Sequence, residues 1–208
     1  MQKYRIKVFA AACTTLVMQF PTVSHSAEWA IDSKSNCKVG PVWTGEGVTV
    51  SWEGACKNGI AEGKGKLTWS LNGEAAIVEE GSLRNGSLEG KGVRRYLLKK
   101  STYRGTFKAG RQHGKGKLDS EEGSDYTGDW VDGAMHGQGR FDFANGNVYE
   151  GGIDNGRKVG LGRLTWTDGT YFEGNFVEDY GEGKGVCRKG SHTGPCVFEH
   201  GVFVKWRE

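Results

Sequence analysis

Residues 126–148 read YTGDWVDGAMHGQGRFDFANGNV, and the spacing inside this stretch is highly constrained. Gly128, Gly133, Gly137 and Gly139 fall two, seven, eleven and thirteen residues after Tyr126. Asp132-Gly133 is a two-residue hairpin signal, because both of its central positions need positive φ. Asn145-Gly146, half a unit later, reads as a turn of the same kind. The interval leaves about six residues per strand, so the unit is two antiparallel strands. A helix is excluded, since each interior glycine would cost it about 1 kcal/mol. Side chains alternate along a strand, which puts Tyr126, Gly128 and Trp130 on one face together with Gly139, Phe141 and Phe143. Thr127, Asp129, Gln138, Arg140 and Asp142 face the other way.

The unit recurs on both sides. YRGTFKAGRQHGKGKLDSEEGSD starts at Tyr103 and YEGGIDNGRKVGLGRLTWTDGTY at Tyr149, and looser copies start at Trp52, Glu79 and Phe172. Across these six copies the four glycine offsets hold 23 glycines in 24 positions, with Asp179 as the departure. Turns are expected at Asn58-Gly59, Asn85-Gly86 and Asn155-Gly156, and again at Asn72-Gly73 and Asp168-Gly169. The aromatic face repeats as well, through Tyr103, Gly105 and Phe107, then Gly162, Leu164 and Trp166, then Phe172, Gly174 and Phe176. The glycines between the rings read as packing sites where a Cβ would push neighbouring rings apart.

The pattern Y-x-G-x-W-x-x-G-x-x-x-G-x-G, as in Tyr126–Gly139, resembles the MORN repeat (membrane occupation and recognition nexus). The resemblance runs from Trp52 to about Val186. It implies an all-β, elongated, single-layer antiparallel sheet of about six tandem hairpins stacked in a line. The first copy departs by a four-residue stretch, the second by opening on Glu79, the last by losing a turn glycine. The segment Trp52–Gly59, preceded by Cys37, is similar to the N-terminal cap of secreted bacterial members.

The flanks are of different character. Lys3, Arg5 and Lys7 precede an apolar run from Val8 to Phe20, then Pro21 and the small-residue end Ser24–Ala27, the layout of a secretory signal peptide over residues 1–27. The run is too short for a spanning helix, which needs about 20 apolar residues. Residues 28–51 are then an N-terminal cap, 52–186 the array and 187–208 a C-terminal cap. Four cysteines remain after the leader, one pair at each end, and an even count in an exported chain reads as disulfides. The end-by-end pairing is Cys37 with Cys56 and Cys187 with Cys196, which closes both ends of the sheet. Zinc has no C-x-x-C spacing in its favour.

Charge is unevenly spread. The net value of +3 conceals 14 Lys and Arg against 5 Glu from Lys57 to Lys117, a balance of +9. From Asp119 to Glu182 there are 4 against 14 acidic residues, a balance of −10. The tightest basic group is Arg94, Arg95, Lys99, Lys100, Arg104 and Lys108. It is either a solvated surface, a site for anionic lipid head groups or acidic polymer, or half of a self-association surface. The aromatic face (Tyr103, Phe107, Tyr126, Trp130, Phe141, Tyr149, Trp166 and Phe172) is either the core itself or a partner groove.

Catalytic patterns are missing. Gly63-Lys64-Gly65-Lys66 and Gly114-Lys115-Gly116-Lys117 are not phosphate loops, which need G-x-x-x-x-G-K-[ST]. His113 and His136 occupy one slot of adjacent repeats, two strands or roughly 9–10 Å apart, too far to share a metal. Asn85-Gly86-Ser87 matches a glycosylation sequon, but beside a cap similar to that of bacterial members it reads as a hairpin turn only. The expectation is an exported protein of the periplasm or cell exterior, or peripheral on a membrane, that serves as a protein-interaction scaffold or envelope structural module without enzymatic activity, cofactor or metal. Its partner is an unidentified protein, a second copy of itself or anionic lipid, and not nucleic acid.

Overall fold

The computed structural model describes residues 29–40, 45–121 and 123–207. The expected leader at residues 1–27 lies outside them. The described residues form one open sheet of sixteen strands. Two short strands, β1 (Ala30–Ile31) and β2 (Lys38–Val39), precede seven hairpins. These are β3 (Val48–Lys57) with β4 (Ile60–Leu71), β5 (Glu74–Arg84) with β6 (Ser87–Tyr96), and β7 (Ser101–Lys108) with β8 (Arg111–Ser120). There follow β9 (Asp125–Val131) with β10 (Ala134–Asp142), β11 (Val148–Asp154) with β12 (Arg157–Thr165), and β13 (Tyr171–Val177) with β14 (Tyr180–Lys189). The last is β15 (His192–Glu199) with β16 (Val202–Trp206).

From β3 to β16 each strand pairs antiparallel with the next, the order that two-residue turns and short connections dictate. The segment expected as a C-terminal cap is itself a hairpin in the same stack, since Gly185 on β14 pairs with Cys196 on β15. Its signature is faint because cysteine stands where earlier copies carry glycine.

One line of residues fixes the register. Gly105, Gly116, Gly128, Gly139, Gly151, Gly162, Gly174 and Gly185 are successive cross-strand partners, so the glycines form a spine across the sheet. The spine continues through Gly54, Gly65, Gly81 and Gly92. Rings lie on it from one side. A Cβ built on Gly128 or Gly139 would come within 3.0 Å of the Tyr126 ring, and one on Gly105 or Gly116 within 3.0 Å of Tyr103. Neighbouring rings meet edge-on, as Tyr103 and Trp130 do at 5.0 Å and Tyr149 and Phe176 at 4.9 Å. The aromatic side is therefore the core. Tyr103, Phe107, Tyr126, Trp130, Tyr149 and Phe172 are buried, while Phe141 and Trp166 are half-buried against them.

Each hairpin carries a bulge. After Gly128↔Gly139 the next pair in β9 and β10 is Asp129↔His136, so Gly137 and Gln138 are extra on the second strand. Gly137 sits at φ +66, a conformation that the third glycine of the unit allows without strain. Its purpose is the bend, whereas Gly128 and Gly139 make room for the ring. The carbonyl opposite the bulge is recovered by the ring above it. Tyr126 Oη donates to Asp129 O at 3.0 Å, Tyr103 Oη to Thr106 O at 3.0 Å, Tyr149 Oη to Gly152 O at 2.9 Å and Trp52 Nε1 to Ala55 O at 2.8 Å.

The two ends of the hairpins differ. The tips carry two-residue turns, and they are tied to each other: Gly86 N donates to Ala61 O, Gly110 N to Leu88 O, and Gly133 N to Gln112 O. At the opposite end Asn145-Gly146 and Asp168-Gly169 are not two-residue turns. Phe143 closes a loop of three residues with Asn147, and Trp166 one with Thr170. Disulfides Cys37–Cys56 and Cys187–Cys196 join the ends as expected. The first draws β2 onto the tips, where Lys38 N donates to Gly59 O and Gly40 N to Gly86 O.

Candidate functional site

With the rings packed into the core, the outer face is the surface left for a partner. Two rows of side chains stand on it, and both follow from the repeat. The first row is set by the bulge, which projects the residue between the third and fourth glycines: Lys64, Lys91, Lys115, Gln138, Leu161 and Lys184. All six are exposed, and Leu161 retains 78 % of its accessible surface. The second row is the residue just before each tip, which alternation turns outward from the second hairpin on because its predecessor (Leu83, Phe107, Trp130, Ile153 or Phe176) is buried. Lys57, Arg84 and Lys108 hold this place in the first three hairpins and Val131, Asp154 and Val177 in the next three. Arg111 lies directly across from Lys108.

Between these rows and the wide-turn end, ion pairs link the strands. Arg140 Nη1 lies 2.8 Å from Glu150, and its Nη2 lies 2.7 Å from Asp142, which together hold the guanidinium protonated well above its usual range. Arg163 pairs with Glu173, Lys117 with Asp119, and Arg104 with Asp119 at 2.6 Å. A shallow trough of about 610 Å³ runs over the spine here, floored by Gly116, Gly128 and Gly139 and walled by Arg104, Lys117 and Arg140. Exposed pairs of this kind add little stability singly, but they hold the face in one arrangement.

The structure divides the basic group expected from the sequence. Arg94 is not a surface residue: it is 5 % exposed and lies in the core, with Nε donating to Glu79 Oε1 at 2.7 Å and Nη2 to Gly110 O at 2.5 Å. The guanidinium also lies over the Phe107 ring, at 5.1 Å. Glu79 occupies the slot that Tyr103, Tyr126 and Tyr149 fill elsewhere, so an ion pair replaces one ring of the core. Burial pushes the Glu79 carboxyl up against the opposing pull of Arg94, and its Oε2 has no hydrogen-bond partner. Arg95 is tied to Glu80 at 2.8 Å, Lys100 to Glu121 at 3.4 Å and Arg104 to Asp119. Lys99 and Lys108 stay exposed at opposite ends of the strands.

Lys57, Lys64, Arg84, Lys91 and Arg111 were not singled out in the sequence, yet they are exposed and have no carboxylate within ion-pair distance among the described residues. The signal that marks them is their slot in the repeat rather than their clustering along the chain. His113 and His136 likewise share a slot, and each reaches the next tip, at 3.7 Å from Asp132 and 3.2 Å from Asp154.

A family model described as MORN repeat matches residues 52–70, 80–96, 103–124, 126–148, 149–171 and 172–193. No curated protein matches the chain.

Proposed function

The chain belongs to the MORN repeat family, whose repeats suggest protein or membrane interaction, and on that premise we propose an exported, non-enzymatic scaffold that holds a protein partner along its outer face. The observation that carries this reading is the division of labour between the two faces. The rings are consumed as core, while a bulge in each repeat projects one side chain outward at a constant pitch. Such a surface suits an extended partner better than a compact substrate, because it offers a line of contacts on a stiff support. Among the described residues the buried charged groups are Glu79 and Arg94, closed into one pair inside the core, and Asp32, which accepts from Ser35. Two disulfides suit an oxidising compartment, which supports export.

The test places a photo-reactive residue at Lys91, Gln138 or Leu161 in cells expressing the tagged chain. A discrete adduct from these sites, and none from Asn145 at the wide-turn end, is the expected result. No adduct from any outer-face site, or turnover of a substrate by the purified chain, defeats the reading. N-terminal sequencing of the same material tests removal of residues 1–27.

A second reading, peripheral binding to anionic lipid, has a specific feature behind it. Leu97 and Leu98 are 42 % and 66 % exposed in the turn between β6 and β7, followed by Lys99 and Lys100. Apolar residues flanked by lysines are what an interfacial anchor needs. Co-sedimentation with anionic but not neutral vesicles, lost at moderate salt and in Leu97→Gln/Leu98→Gln, is its expected outcome. No sedimentation in any condition sinks it.

A further inference from the structure

We infer that the outer face of the first three hairpins binds an extended acidic polypeptide, an inference that rests on the scaffold reading and gives the partner its chemistry. Six cations stand there without a carboxylate partner among the described residues: Lys57, Arg84, Lys108 and Arg111 at the tips, Lys64 and Lys91 on the bulges. Elsewhere on the same face the cations are neutralised in place, as at Lys66, Arg95, Arg104 and Lys117. The excess charge of the N-terminal half is thus concentrated into two parallel rows.

The geometry of those rows selects a polymer. Equivalent cations of neighbouring hairpins are two strands apart, about 9–10 Å, and an extended polypeptide advances about 10 Å in three residues. Their flexible four-carbon lysine stems tolerate either register of such a chain.

The tips also show which anion they accept. The backbone N–H of Asn85 donates to Glu62 Oε2 at 3.1 Å, and that of Ala109 to Glu89 Oε2 at 2.9 Å, so each turn amide takes a carboxylate from the preceding hairpin. The first tip has no preceding hairpin. Among the described residues no carboxylate reaches the Asn58 N–H, and Lys57 and Lys38 flank it. A glutamate side chain of a partner would complete the series.

A membrane fits less well at this place. The exposed leucines Leu97 and Leu98 lie beyond the far ends of β6 and β7, away from the tips. A bilayer that takes those leucines faces the wrong end of the strands for the cation rows.

The experiment measures fluorescence anisotropy of a labelled oligoglutamate peptide with the full chain, at low and moderate salt. The expected result is salt-sensitive binding, weakened roughly tenfold or more in Lys57→Gln/Lys64→Gln/Lys91→Gln/Lys108→Gln. A control with the same charge loss elsewhere, Lys34→Gln/Lys99→Gln/Arg188→Gln/Lys205→Gln, is expected to bind as the parent does. Absence of binding at low salt overturns the inference, as does an equal loss in both variants. Tighter binding of polyphosphate or anionic vesicles through the same four lysines also overturns it, in favour of those ligands. A cross-linked outer-face partner that proves neutral or basic leaves the scaffold standing and removes only this inference.

Discussion

The ring of Tyr126 occupies the space that a side chain at Gly139 would need, and its hydroxyl reaches past that glycine to Asp129 O at 3.0 Å. The two residues are partners across the fold in a literal sense. The glycine provides room for the ring, and the ring satisfies the carbonyl that the adjacent bulge strips of its ladder partner. The same relationship holds between Tyr103 and Gly116 and between Tyr149 and Gly162. Each of these three repeats is therefore one packing unit and one hydrogen-bonding unit at the same time.

Gly139→Ala is expected to destabilise the chain by roughly 2–3 kcal/mol, the cost of overpacking a site that cannot yield. Gly160→Ala is the contrast, because nothing lies within 4 Å of its Cβ position and only its φ of +63 resists. That cost is about 1–2 kcal/mol. Urea unfolding of both variants measures the difference, and equal losses would mean that the ring does not depend on the glycine.

Tyr126→Phe keeps the ring and removes one hydroxyl. Its loss leaves the Asp129 carbonyl without that donor, which is expected to lower stability by about 1 kcal/mol. Phe172→Tyr is the converse experiment, since the sixth unit has a ring over Gly174 and Gly185 but no hydroxyl to donate.

The phenols also set an alkaline limit. Burial pushes the hydroxyls of Tyr103 and Tyr126 up to about 12, from the usual value near 10. A folded-state pKa above the unfolded one gives stability that is fully present below the unfolded value and disappears as pH rises through the folded value. Stability is therefore expected to hold up to about pH 10 as far as these groups decide it, then to fall towards pH 12. Phenolate absorbance near pH 10 with the fold intact that disappeared in Tyr103→Phe or Tyr126→Phe would contradict the burial.

The ion pair in the second repeat makes a sharper prediction. Arg94→Met leaves the Glu79 carboxylate buried and unpaired, a loss of roughly 3–5 kcal/mol at neutral pH. Burial already holds this carboxyl above its usual range. Stability tied to its protonated form is fully present below the unfolded value near 4.5 and lost as pH rises through the higher folded value, so the deficit is expected to shrink as pH falls from 7 and to be smallest by about pH 4. Glu79→Tyr/Arg94→Leu restores the ring and aliphatic residue of neighbouring repeats and is expected to match or exceed the parent. Chemical denaturation at pH 4 and pH 7 checks all three chains.

At the tips, Ala109 adopts φ +48 and Glu178 φ +44, values that suit asparagine or glycine. Ala109→Gly and Glu178→Asn are each expected to gain about 0.5–1 kcal/mol, read as a higher melting temperature. No gain at either position would show that the turn backbone relaxes at no cost.

Much of this was legible in the residues. Spaced glycines announced the hairpins, alternation assigned Tyr126 and Trp130 to one face, and the cysteines fell in pairs at the ends. The bulge was harder to see, because Gly137 and Gln138 look like ordinary members of an alternating strand. Alternation turns Gln138 outward, but Lys64 and Lys91 in the same slot emerge only when charge is sorted by repeat position and face. Arg94 was misjudged for a different reason. Its offset from Glu79 is that of Leu67 from Trp52 and Leu118 from Tyr103, which places it inward, but charge counted along the chain ignores the face a residue occupies. The wide turns differ from the tips by one residue, a distinction that Asn-Gly alone does not make.

The glycine spine has a consequence for what the chain can become. Because the first six hairpins meet one another glycine on glycine, removing residues 126–148 would bring Tyr149 to the strand position of Tyr126 with the register intact. The molecule would shorten by two strand widths, about 9–10 Å, and keep both disulfide-bonded ends. Span is thus a counted quantity in this architecture, set by the number of units and separable from the chemistry at either end. A protein of this build is a ruler whose graduations can be added or deleted without recutting the rest.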